Sequence, residues 1–195
     1  MIVFLALSGY HFLNQKEKMQ NIEIKYHTEQ LAELQNFLVN SLKITHEFRH
    51  RQRDIYFAVP EGRLKIRIQD EQQPHLIRYF RPDIAETRIS DYTIEMLDDA
   101  EQTIAELQQK HKVLATVEKV RTLFLYKNVR IHLDEVALLG NFVEFESVIS
   151  DSCDAATAQR NLDEIMQLLQ PYLGTPESGG YLNLLLAHPS TQKGT

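Results

Sequence analysis

From Asn21 onward the chain alternates apolar and polar residues with period two in eight stretches. They are Asn21–Tyr26, Thr45–Ala58, Arg63–Gln69, His75–Arg81, Thr87–Ile94, Leu114–Tyr126, Val129–Val136 and Phe142–Ser150. Alternation of this kind predicts strands with one face on a core. Three segments switch to helical spacing. Leu31, Leu34, Leu38 and Leu42 share one face after a cap candidate, Thr28. Leu97, Ala100, Ile104 and Leu107 share another, with Asp99 and Gln102 placed as a capping box. The third runs from the cap candidate Asp154 through Leu162, Ile165, Leu169 and Tyr172 to Gly174, a C-terminal stop signal. Short links at Pro60-Glu61-Gly62, Lys127-Asn128 and Gly140-Asn141 favour an antiparallel meander over parallel crossovers. No internal repeat or linker divides the chain, and the pattern predicts one antiparallel α+β domain.

The polar parity of each strand is sorted by sign. Arg63, Lys65 and Arg67 oppose Leu64, Ile66 and Ile68; Lys119 and Arg121 share a face, as do Arg130, His132 and Asp134. Glu144 and Glu146 share another, and Asn21, Glu23 and Lys25 alternate with Ile22 and Ile24. Ten of the eleven arginines lie between Arg49 and Arg130. A solvated sheet face explains any one strand taken alone. Across all strands it explains less, because exposed faces usually interleave signs to avoid repulsion between neighbours. If the sheet curls with its helices outside, the charged faces point inward, where a charged ligand must complete them. A polyanion with a divalent cation fits: Lys and Arg hold phosphate oxygens, and clustered carboxylates hold a hard metal such as Mg²⁺ or Mn²⁺.

Composition narrows the partners. The 195 residues carry a formal charge of -6, which argues against a surface built for nucleic acid. Cys153 is the lone cysteine, so an internal disulfide is excluded and a reducing, cytoplasmic location is expected. The longest apolar region, Met1–Leu13, is broken by Ser8, Gly9, Tyr10 and His11, too short to span a bilayer and without the flanks of a secretory signal. Met19 opens a clean strand pattern. Residues 1–18 are therefore read as an N-terminal extension with no assigned function, 19–187 as the domain and 188–195 as a tail.

These residues carry a resemblance. Asn21-Ile22-Glu23-Ile24-Lys25 is similar to the E-x-E-x-K signature of the CYTH superfamily, which includes class IV adenylyl cyclases, thiamine triphosphatases and inorganic tripolyphosphatases. The likeness continues through Gly62–Arg67, the strand ending at Arg81-Pro82, Val117–Arg121, Leu133-Asp134, Gly140–Phe142, Glu144–Glu146 and Gly180–Leu182. It implies an eight-stranded closed antiparallel barrel, a triphosphate tunnel. It further implies Glu23, Glu144 and Glu146 as metal ligands supported by Asp134, and Lys25, Lys65, Arg67, Arg81, Lys119 and Arg121 on phosphates. Arg130 and His132 are weaker phosphate candidates, and Arg78, of opposite parity, competes with Arg81. The implied partner is a small-molecule triphosphate with Mg²⁺ or Mn²⁺, without nucleic acid or membrane; a homodimer stays open.

One departure stands out: Asn21 occupies the place of the first signature Glu, which removes a charge and makes a two-metal site harder to build. Three functions remain open: hydrolysis of a triphosphate, cyclisation of ATP to cyclic AMP and pyrophosphate, or polyphosphate binding without turnover. Hydrolysis leads, since it demands least of the site. His46-Glu47-Phe48-Arg49-His50 also matches the zinc-protease pattern H-E-x-x-H, which requires a helix. Its surroundings predict a strand, in which the two histidines stand about 13 Å apart.

Overall fold

The computed structural model describes residues 18–188. The extension (1–18) and tail (188–195) therefore lie outside the described residues, apart from Lys18 and His188. All eight expected strands form: β1 (Lys18–His27), β2 (His46–Phe57), β3 (Arg63–Gln69), β4 (Gln72–Phe80), β5 (Arg88–Met96), β6 (Val113–Tyr126), β7 (Val129–Val136) and β8 (Gly140–Ile149). They close into a barrel in the order β1-β5-β4-β3-β2-β6-β7-β8, and every neighbouring pair is antiparallel. The expected meander is thus two meanders, β2 to β5 and β6 to β8. They are joined by the β2–β6 ladder, with β1 seated between β5 and β8.

The helices take the apolar parity as expected. α1 (Leu31–Asn40) and α3 (Ala155–Leu169) bury Leu34, Leu38, Leu162 and Ile165 against Ile22, Ile24, Ile131 and Phe145 on the outer face of β1, β7 and β8. α2 (Ala100–Lys110) sets Ile104 and Leu107 against Phe57, Leu64, Ile66 and Leu97. With the outside face packed under helices, the polar parity points inward. No helix among the described residues is long and apolar enough to cross a membrane.

Local signals read correctly where a side chain caps a backbone. Asp99 accepts from the Gln102 amide at 2.9 Å and Asp154 from the Thr157 amide at 2.8 Å, each satisfying an orphan donor of the first turn. Thr28 is not a cap. Gln30 occupies that position, and the Thr28 hydroxyl donates to the Tyr172 carbonyl at 2.8 Å. Gly174 is not a helix terminator either: α3 gives way to a 3₁₀ turn at Gln170–Tyr172, and a Cβ at Gly174 would meet the His27 carbonyl at 2.5 Å. Gly140-Asn141 opens β8 rather than forming the turn before it, which is Ala137–Leu139.

One helix has no counterpart in the sequence reading. α4 (Tyr181–Ala187) inserts Tyr181, Leu182 and Leu185 among Tyr56, Val117, Val136 and Phe142. These residues belong to the ends of β2 and β7 and the starts of β6 and β8, so α4 stoppers one end of the barrel.

Candidate active site

The barrel encloses a cavity of about 830 Å³ lined by the inward parity of all eight strands and by Tyr181. Each candidate follows from strand register. Glu23 on β1 stands directly across from Glu146 on β8, and Lys25 across from Glu144. Carboxylate oxygens of Glu23, Glu144 and Glu146 lie within 4.8 Å of one another. This is the spacing of donors that can share one hard cation. Asn21 adds a buried amide oxygen on the same face, Oδ1, that has no hydrogen-bond partner.

The carboxylates are held by cations. Lys25 Nζ is 3.0 Å from Glu144 Oε1, and Arg121 Nη2 donates to Glu144 Oε2 at 2.7 Å. Arg81 Nη1 and Arg88 Nε lie 3.2 and 3.3 Å from Glu23 Oε1. His132 Nε2 lies 3.2 Å and Arg130 Nη1 3.8 Å from Glu146 Oε2. Of the two basic residues weighed at β4, Arg81, one residue past the strand's end, lines the cavity, and Arg78 is exposed outside it.

Asp134 is not brought into the carboxylate cluster. It is fully buried and engaged by Arg121 through Nε at 2.6 Å and Nη2 at 2.5 Å, by Lys119 at 3.4 Å, and by the Tyr181 hydroxyl at 2.6 Å. The geometry makes it a brace for basic side chains. Asp54, which sequence reasoning passed over, does the same on β2, two strands away, accepting from Lys65 at 2.7 Å and from Arg67 at 2.7 and 2.8 Å. Its signal was present in β2, where exposed Arg49, Arg51 and Arg53 alternate with buried His50, Gln52 and Asp54. Arg88 was missed at a strand's first residue, and Tyr181 because α4 is too short to show a period.

Protonation follows the same pairings. Burial alone would raise the Asp54 carboxyl, but Arg67 and Lys65 hold it well below its ordinary range. Burial is likewise outweighed at Glu144 by Lys25 and Arg121, and at Glu146 by the His132 contact, so both carboxyls are pushed down. Glu23 is raised, by burial and then by the charge of Glu144, with Arg81 opposing. Burial and Arg67 lower Lys65 to about 8, against the pull of Asp54; burial and Arg121 put Lys119 well below its usual value. Cations this crowded are stabilised by an anion placed among them.

The H-E-x-x-H segment lies in β2, and Glu23, Glu144 and Glu146 are the metal-competent group found among the described residues. A second hollow of about 590 Å³ lies over β2, β3, β6 and β7, where Arg51, Arg53, Glu118 and Glu135 line it together with Lys119.

A closed eight-stranded barrel with inward cations and a carboxylate trio defines the class, and residues 19–179 match the model of the CYTH domain. The chain belongs to that family. Solved structures share the barrel. A protein of Pyrococcus horikoshii OT3 is 21% identical with a TM-score of 0.72, covering 84% of this chain and 98% of its own. A conserved hypothetical protein of Pyrococcus furiosus is 24% identical with a TM-score of 0.69, covering 84% and 99%. A Vibrio parahaemolyticus protein provisionally named an adenylate cyclase is 20% identical with a TM-score of 0.64, covering 88% and 99%. No curated protein sequence matches the chain.

Proposed function

We propose that the domain, residues 19–187, is a divalent-metal-dependent enzyme acting on small triphosphates, with phosphohydrolysis as its reaction. The observation that carries this is one cavity, closed at one end, in which Glu23, Glu144 and Glu146 converge beside Lys25, Lys65, Arg67, Arg81, Lys119 and Arg121. Membership of the CYTH family supports it. The donor set, three carboxylates and the unpartnered amide oxygen of Asn21, fits a hard cation such as Mg²⁺ or Mn²⁺. When bound, such an ion neutralises phosphate oxygens and lowers the pKa of a water.

The chain's own residues supply the rest. Lys65 and Arg67 on β3 and Lys119 and Arg121 on β6, the two strands that flank β2, grip the phosphates, each pair aimed by its brace, Asp54 or Asp134. Lys25 and Arg81 sit beside the carboxylates, where charge shifts between attacking and leaving oxygens. Arg130, near the start of β7, meets the outer phosphate. Phosphoryl transfer proceeds with charge spread over the equatorial oxygens, so positioning and fixed charge account for most of the acceleration. Tyr181 and α4 keep bulk water from one end of the cavity.

The test measures phosphate release from tripolyphosphate, thiamine triphosphate and ATP with Mg²⁺ or Mn²⁺, beside a cyclic AMP readout. Metal-dependent phosphate release is expected. Cyclic AMP and pyrophosphate from ATP would replace hydrolysis by cyclisation in the same cradle. Tight tripolyphosphate binding without turnover would leave a binding module, the reading that neutral Asn21 favours. Absence of both binding and turnover would overturn the assignment.

A further inference from the structure

The basic residues of the cavity are positioned in two ways. Arg67 and Arg121 are each gripped through two nitrogens by one carboxylate, Asp54 or Asp134, as the planar fork of a guanidinium allows. A lysine has no fork. Its ammonium is a compact charge on a flexible four-carbon stem. Lys25 meets Glu144 at 3.0 Å and Lys119 meets Asp134 at 3.4 Å, and both have a further neighbour in common. Lys25 Nζ lies 3.7 Å and Lys119 Nζ 4.8 Å from the centroid of the Tyr181 ring.

That ring is itself fixed. Its hydroxyl donates to Asp134 Oδ2 at 2.6 Å, and the Phe142 ring stands edge-on to it at 5.1 Å and 66°. Leu182 and Leu185 anchor α4 behind it. The chain leading into the helix is tied to β1, where the Glu177 amide donates to the Lys25 carbonyl at 2.8 Å. Gly180 admits this close approach, since a Cβ there would come within 2.9 Å of Arg81 Nη2. Tyr181 is thus buried at a point where it meets Lys25 of β1, Lys119 of β6 and Asp134 of β7.

Sealing the barrel does not call for these contacts. Leu182 and Leu185 exclude water without a polar atom, and a leucine at position 181 would do the same. What an aromatic face adds is attraction for a cation without a countercharge. A carboxylate holds an ammonium by neutralising it. A ring holds it and leaves the charge, with the N–H donors that point away from the ring, for an incoming phosphate.

We infer that Tyr181 is a positioning residue, its ring a perch that holds Lys25 and Lys119 in the cavity ready to receive a polyanion. This rests on the triphosphate reading above. Tyr181 acts through the two lysines, whose side-chain freedom is lost when α4 packs and not when the ligand arrives, so that binding is stronger.

The experiment measures tripolyphosphate binding with Mg²⁺ by calorimetry in the full chain: wild type, Tyr181→Phe, the same phenylalanine carrying one, two or three ring fluorines, and Tyr181→Leu. Fluorine withdraws the negative potential of the ring face and changes its shape little, so the series tests the ring's charge distribution apart from its packing. Tyr181→Phe is the reference for the series and separates out the hydroxyl bond to Asp134. Affinity should fall stepwise with each fluorine, by about tenfold in all, the size of a desolvated cation–π contact. In the Tyr181→Leu background, Lys25→Gln should weaken binding less than it does in the wild type, because the two substitutions remove one interaction. A flat fluorine series would overturn the perch and leave Tyr181 a seal, even where Tyr181→Leu fails to fold. Failure of the wild type to bind tripolyphosphate would instead remove the reading on which the perch rests.

Discussion

Glu146 and Arg67 line the same cavity with different proposed duties, and single substitutions separate them. Glu146 faces Glu23 across the β1–β8 ladder, so Glu146→Ala removes one of the three proposed cation ligands and should cut turnover by at least ~10–100-fold, the loss seen even for outer-shell partners. Phosphate binding should fall less, which a binding titration beside steady-state kinetics will show. Arg67→Ala removes a charge-assisted contact of roughly 1.5–3 kcal/mol and should chiefly weaken tripolyphosphate binding. Lys65 adds a pH dependence whose two signs differ. Its folded pKa is lowered to about 8 from 10.5, so it loses its charge as pH rises through 8 and triphosphate binding weakens there. Between about 8 and 10.5 the unfolded chain holds a proton that the folded one has released. The Lys65 contribution to stability therefore rises with pH in that window. Calorimetric affinity and thermal unfolding at pH 7, 8.5 and 9.5 should move in those opposite directions. An affinity that does not weaken over this range would take Lys65 out of the phosphate contacts.

Strands were legible in the sequence because one face is apolar and the other charged, and parity alone put Lys65, Arg67, Lys119, Arg121 and Glu144 on the polar face, which is interior only if the sheet closes. Closure was less so. Period-two patterns say which way a side chain points but not which strand lies beside it, and the joining ladders β2–β6 and β1–β8 pair segments far apart in sequence. Asp134 illustrates the consequence: parity aimed it inward, but only the β6–β7 register, which sets it across from Arg121, shows that it braces a cation. α4 is the element that sequence periodicity missed. Seven residues make two turns, too few for a pattern, and its role comes from what it covers. Leu182 and Leu185 are buried against Tyr56, Val117, Val136 and Phe142. Leu182→Ala should cost ~2–5 kcal/mol, as for other buried leucines, measured by denaturant unfolding. It should also loosen Tyr181, whose hydroxyl holds Asp134 and whose ring lies 3.7 Å from Lys25 Nζ.

Over the whole barrel, a net charge of -6 conceals an interior in which buried lysines and arginines are kept in place by a few carboxylates. Such an arrangement is tolerated when each charge is paired, and Lys65 and Arg67 lean on a single residue, Asp54. Asp54→Asn would leave two buried cations against a neutral group, and breaking a buried pair of this kind costs ~3–5 kcal/mol. The proposed ligand carries the missing charge. In the wild type, tripolyphosphate with metal at a hundred times its dissociation constant should stabilise the fold by ~2.7 kcal/mol, and the pair together should raise the melting temperature more than either alone. In Asp54→Asn the rise on adding them should be larger, because phosphate oxygens then replace the carboxylate as well as filling the cavity. A melting temperature insensitive to tripolyphosphate in both proteins would mean that the interior carboxylates suffice for the inward cations without a polyanion. An equal rise in both would place the phosphates away from Lys65 and Arg67.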